Sequence, residues 1–271
     1  ETTDLNTARY SLGGAGTATT ALAFGGFVPP NSTATEEWNA NIAVGAWVTG
    51  PNLNTARWTG AGAGTQTAAL SFGGFTPPPN SAATEEYNGT AWAEVNNLNT
   101  ARRQIRGGGT QTSALGFGGN DGASPTGNAV TESWNGYVWT EVADLNLNRE
   151  QGAGVASDNT NALAIGGLRS ATRQAETESW NGSAWTEVND LNTGRRLMGS
   201  AGADNTSALV FGGNVPPDTA ATESWNGTNW TEVNDLNNAT QSLGGAGTQT
   251  LAVAFGGSPS LVDTEFWNGT N

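Results

Sequence analysis

Apolar residues along this chain come in short runs, each stopped by Gly, Pro, Asn or Asp, and no stretch has the length or 3.6-residue period of an amphipathic helix. The stretch from Arg195 to Leu236 shows the pattern. A small-residue run, Gly199-Ser200-Ala201-Gly202-Ala203, ends at a turn, Asp204-Asn205, and the apolar run Ser207-Ala208-Leu209-Val210-Phe211 is stopped by Gly212-Gly213. A Pro-containing loop leads to Thr222-Glu223-Ser224-Trp225, an Asn-Gly turn, and Trp230-Thr231-Glu232-Val233. The pattern predicts four short strands, a to d.

The same pattern fills the chain. Phe-Gly-Gly recurs at Phe24, Phe72, Phe117, Phe211 and Phe255, with Ile165-Gly166-Gly167 as the fourth copy, at spacings of 48, 45, 48, 46 and 44 residues. Leu-Asn keeps the same rhythm at Leu5, Leu53, Leu98, Leu145, Leu191 and Leu236. An aromatic-Asn-Gly triplet starts at Tyr87, Trp134, Trp180, Trp225 and Trp267, with Trp38-Asn39-Ala40 as a degenerate first copy. Six units of four antiparallel strands predict a single all-β domain over residues 1–271, a six-bladed β-propeller.

Local chemistry agrees with that architecture. Gly and Ala on strand a fit the innermost position, where six backbones converge. Asn-Gly favours a tight c–d hairpin because both residues tolerate positive φ, and it sets Trp134 against Trp139, Trp180 against Trp185 and Trp225 against Trp230, expected to pack between blades. The chain stops at Trp267-Asn268-Gly269-Thr270-Asn271, where other units continue into strand d. It opens on Glu1-Thr2-Thr3-Asp4-Leu5, which matches Glu232 to Leu236. The N-terminal strand d is therefore expected to complete the C-terminal blade and close the ring, removing open edges. No tryptophan stands at that seam, so the closing blade is expected to be the weakest.

Thirty-nine glycines and only 13% charged residues would fit a low-complexity chain, but eleven tryptophans and regular Leu and Phe positions require a packed interior. With 24 acids against 10 bases the net charge is −14, and every base is arginine. Such a chain repels nucleic acid and anionic lipid. No apolar window is long enough for a membrane-spanning helix, so membrane insertion is not expected. A start at Glu1 rather than Met leaves room for a removed leader or a larger precursor.

The order of arginine, small strand, apolar strand ending in Gly-Gly, strand-c aromatic and strand-d tryptophan (Trp47, Trp92, Trp139, Trp185, Trp230) resembles the kelch repeat over the entire chain. Kelch repeats usually carry Asp after the strand-c aromatic, where this chain has Asn-Gly. In that respect the units are similar to repeats of phage and environmental bacterial proteins. Copper oxidases built on kelch propellers hold their metal through His and Tyr, and this chain has no histidine.

Without His, Cys or Lys there is no imidazole base, thiolate nucleophile, Schiff base or zinc cluster, so the expectation is a non-enzyme with no cofactor and no metal site. Carboxylates at Glu36, Glu37, Glu85, Glu86, Glu132, Glu178, Glu223 and Glu265 recur with the fold, whereas a catalytic pair is a singular feature. Arg9, Arg57, Arg102, Arg149 and Arg195 open strand a where strand c begins, and Thr240 breaks the series. Pairing with the repeated glutamates is one reading; as exposed pairs these would contribute about 0–1 kcal/mol each. A ring of arginines binding a carboxylate or sulfate is the other.

Variable b–c loops point to a working face shared with the d–a connections. Phe27, Phe75, Arg169 and Arg173 on these loops join the five arginines as candidate ligand-binding residues. The expected function is a binding or assembly module, extracellular or virion-associated and possible as part of a larger assembly, that contacts protein or glycan through this face. A multivalent lectin with one sugar site per blade and a carboxylate-based glycan-active enzyme are the alternatives.

Overall fold

The computed structural model describes residues 4–29, 31–40 and 45–270. Among them every regular element is a β-strand. Blade one comprises β1 (Gly13–Gly16), β2 (Thr20–Phe24), β3 (Thr35–Asn39) and β4 (Ala46–Gly50); blade two comprises β5 (Ala61–Thr65), β6 (Ala68–Phe72), β7 (Thr84–Tyr87) and β8 (Trp92–Val95). Blade three has β9 (Arg106–Thr110), β10 (Ser113–Phe117), β11 (Thr131–Trp134) and β12 (Trp139–Glu141). Blade four has β13 (Ala153–Asp158), β14 (Asn161–Arg169), β15 (Thr172–Trp180) and β16 (Trp185–Val188). Blade five has β17 (Gly199–Asp204), β18 (Ser207–Phe211), β19 (Thr222–Trp225) and β20 (Trp230–Val233), and blade six β21 (Gly244–Thr248), β22 (Leu251–Phe255) and β23 (Thr264–Trp267).

Blades one to five are antiparallel meanders in chain order, a to d, and blade six shows strands a to c among the described residues. The six a-strands face the axis and line a central channel of about 370 Å³, walled mainly by Gly, Ala and Ser with Arg106 as the one charged side chain of its lining. Crowding explains the small residues: a Cβ on Gly62 would stand 2.6 Å from the Gly14 carbonyl oxygen of the neighbouring blade. At the channel mouth Ser11, Thr59, Gln104, Gln151, Leu197 and Ser242, one per blade, all hold positive φ between 53° and 60°. Their backbones hand hydrogen bonds from blade to blade, as when Thr59 N donates to Ser11 O at 2.9 Å and Gln104 N to Thr59 O at 2.8 Å. Non-glycine residues seldom adopt this region, so the annulus offsets the strain through its inter-blade bonds.

Aromatic packing holds successive blades together. Trp134 and Trp139 lie opposite each other in register, 5.4 Å apart, and Trp139 reaches back to Phe72 of blade two at 4.8 Å. Its Nε1 donates to the buried Thr84 hydroxyl at 3.0 Å, and Trp47, Trp92, Trp185 and Trp230 make the same bond to Thr264, Thr35, Thr131 and Thr177. The expected inter-blade role of the tryptophans is what the structure has.

At the seam, Thr264 N donates to Asp4 Oδ1 at 3.0 Å and Leu5 N to Val262 O at 2.9 Å. These repeat bonds inside the ring, where Thr131 N meets Asp144 Oδ1 and Leu145 N meets Ala129 O. The N-terminal segment thus packs on the last blade as any strand-d exit packs on its own. Glu1, Thr2 and Thr3, the expected fourth strand, lie outside the described residues, as does Pro30 of the first b–c loop.

Candidate functional site

The repeated arginines and glutamates meet inside the blades, which corrects the expectation of exposed pairs. Arg9 pairs with Glu36, Arg57 with Glu85, Arg102 with Glu132, Arg149 with Glu178 and Arg195 with Glu223, at 2.5–3.0 Å. No side chain of the ten is more than 5% exposed. Nη2 of each arginine donates to Oε1, and Nη1 of Arg9, Arg57, Arg102 and Arg149 donates to a carbonyl at each end of the b–c connection, as Arg102 does to Gly118 O and Val130 O, while Arg195 Nη1 donates to Ala221 O. Oε2 is taken by the Asn of the Leu-Asn marker: Asn99 donates to Glu132 through its backbone N at 2.7 Å and Nδ2 at 2.8 Å.

Arg9, Arg57, Arg102, Arg149 and Arg195 are therefore not a ligand ring at the pore. They seal the b–c corners of blades one to five. Burial lowers the pKa of Arg9, Arg57, Arg102 and Arg195, and the facing glutamates act against that shift. The Leu-Asn marker carried the signal that its asparagine holds the carboxylate, but only the folded blade shows which glutamate it meets.

The b–c and d–a connections do share one face. The residue after each repeat arginine bridges a b–c loop: Tyr10 to Phe27, Trp58 to Phe75, Arg103 to Asn120, Glu150 to Leu168 and Arg196 to Asn214. Over blades one and two this brings together aromatics scattered in sequence. Tyr10 and Phe27 lie 5.2 Å apart, Phe27 and Trp58 5.0 Å, Trp58 and Phe75 6.0 Å, and the Arg103 guanidinium caps the run 5.3 Å over the Phe75 ring. Phe27 and Phe75 are half-buried in this strip rather than fully exposed. Sequence reading missed Tyr10, Trp58 and Arg103, whose one signal was the position following the repeat arginine.

Over blades three to five the face is polar. Arg173 donates to Asn214 Oδ1 at 2.5 Å, Arg196 to Gln151 Oε1 at 3.0 Å, and Asn120 to Glu150 Oε2 at 2.6 Å. The fourth b–c connection is a continuous hairpin, β14 to β15, turning at Ser170 and Ala171 with φ of 49° and 65°. Arg169 and Arg173 stand on it, half-buried. Five of the ten arginines are in the buried pairs and Arg106 lines the channel, so the other four, Arg103, Arg169, Arg173 and Arg196, all stand on this face. The outer strands instead expose Glu94, Glu141, Glu187 and Glu232. No group of three metal-ligating side chains occurs among the described residues.

No protein-family model matches the chain, and no curated protein matches it by sequence. The fold does have solved counterparts. A structure described as "Structure of YjhT" aligns with a TM-score of 0.79 at 12% identity, over 98% of this chain and 96% of that one. At that identity the likeness concerns architecture, and with the six sheets it shows that this chain is a six-bladed β-propeller.

Proposed function

We propose that this kelch-type propeller is a non-catalytic binding and assembly module, at a cell surface or on a virion, that engages a partner protein through the b–c/d–a face. One observation carries the reading: the aromatic strip Tyr10, Phe27, Trp58 and Phe75, capped by Arg103, lies on the face that holds all the cations outside buried pairs and the channel. Aromatics offer large contact area with few rotors, and Trp, Tyr and Arg dominate binding energy where they cluster. The propeller supplies the rigid frame. Glu36, Glu85, Glu132 and Glu178 each have both carboxylate oxygens engaged by Arg and by backbone or side-chain amides, which supports a role in structure rather than acid–base chemistry.

A glycan partner is the second reading, favoured by the partly exposed Trp58 and Phe75 rings, which offer a face for sugar stacking. It implies one strip over blades one and two rather than one site per blade.

Trp58→Ala and Arg103→Ala test the face by crosslinking capture and on a glycan array. The expected result is a partner whose affinity falls about 30-fold, the equivalent of a 2 kcal/mol hot spot, with the circular dichroism unchanged. A captured partner indifferent to both substitutions overturns the reading, and retention on the array alone selects the glycan.

A further inference from the structure

Blade six keeps the seat of a guanidinium without the arginine. Thr240 stands at the arginine position, and its carbonyl oxygen accepts from Gly213 N as Arg102 O accepts from Gly74 N. The acceptors that hold arginine elsewhere are still in place. Gly256 and Asp263 correspond to Gly25 and Ala34 of blade one, whose carbonyls take Arg9 Nη1, and the two pairs share the same backbone bond, Gly256 N to Asp263 O at 3.0 Å. Glu265 is held through Oε2 by Asn237 N and Nδ2, both at 2.8 Å, the grip its five counterparts receive.

A small cavity occupies the missing side chain's place, lined by Leu236, Thr240, Phe255, Gly256, Asp263 and Glu265. It measures about 10 Å³, room for one water, within about 250 Å³ of unfilled space that includes open solvent. Glu265 is partly exposed, unlike its five buried counterparts, so the seat is reached from outside. Its lining holds two carboxylates and no cation.

We propose that this seat binds a guanidinium group, supplied by an arginine side chain of a partner or by a free guanidino compound. The same molecule shows the recognition in its other blades: a carboxylate oxygen accepts the planar donor five times, joined by a pair of backbone carbonyls at Arg9, Arg57, Arg102 and Arg149 and by the Ala221 carbonyl at Arg195, a set that an ammonium ion matches less well. Entry fills the cavity and brings Glu265 Oε1 onto the ligand as Glu36 Oε1 lies on Arg9.

The test is thermal unfolding with millimolar methylguanidinium chloride, methylammonium chloride as the charge-matched control, and an acetylated Gly-Arg-Gly amide as the side-chain source. Methylguanidinium is expected to raise Tm saturably by about 2–4 °C, and methylammonium not to. A response to methylguanidinium alone indicates a free compound, and a response to the peptide as well indicates a partner's arginine. Glu265→Gln is expected to abolish the response; Thr240→Arg is expected to raise Tm and abolish it too. Equal effects of the two cations on the native chain, or an undiminished response in Glu265→Gln, overturn the proposal, and Glu265→Gln decides it if Thr240→Arg fails to fold.

Discussion

Arg102 and Glu132 meet at 2.9 Å with neither side chain exposing any surface to solvent. Removing one partner strands a buried charge, so Arg102→Met is expected to cost about 3–5 kcal/mol in denaturant unfolding. The double replacement Arg102→Met with Glu132→Leu is expected to recover part of this. The shortfall measures the bonds that both residues make to others, the Asn99 and Thr100 amides on Glu132 and the Gly118 and Val130 carbonyls on Arg102. Additive losses in the double variant would contradict the pairing.

Tyr87 donates its hydroxyl to Glu37 Oε1 at 2.6 Å, across from blade two to blade one. Burial first, and then the Glu37 hydrogen bond and charge, push its pKa well above the ordinary value near 10. A phenol whose folded pKa is raised contributes stability that is complete below the unfolded value and is lost as pH rises through the folded one. Tyr87→Phe is therefore expected to flatten the decline of stability above pH 10 relative to the native chain. Parallel unfolding midpoints between pH 8 and 11 would refute this.

Gly62→Ala places a methyl 2.6 Å from both the Gly14 carbonyl oxygen and Phe24 Cζ. Backbone cannot yield cheaply there, so a loss of about 1–3 kcal/mol is expected from overpacking between blades one and two. An unchanged Tm would show that the inner ring is looser than its geometry.

Trp267 is only half-buried, whereas its equivalents Trp134, Trp180 and Trp225 are at most 1% exposed. Trp134→Ala is expected to cost about 3–5 kcal/mol and Trp267→Ala clearly less. Hydrogen exchange is expected to be faster in β21–β23 than in β9–β12, because that blade has Thr240 in place of its arginine and its strand-c Trp267 is only half-buried. Uniform protection around the ring would remove the idea of a weak closing blade.

Short periodic runs and turn residues made the strands legible from sequence, because alternation, Gly-Gly and Asn-Gly act locally. At Gly25 and Gly26 the φ values of 64° and 99° are what a double glycine is for. Six copies in register then determined the number of blades, and the break at Thr240 marked the odd one. Tertiary structure alone decided what the charges do. Arg102 and Glu132 stand 30 positions apart, and an exposed pair and a buried one read alike in sequence, since burial depends on how the b–c corner folds over them. The same holds for the face. Tyr10, Phe27, Trp58 and Phe75 join only because neighbouring blades twist their loops together, and the empty seat beside Glu265 exists only because five filled ones surround the same axis.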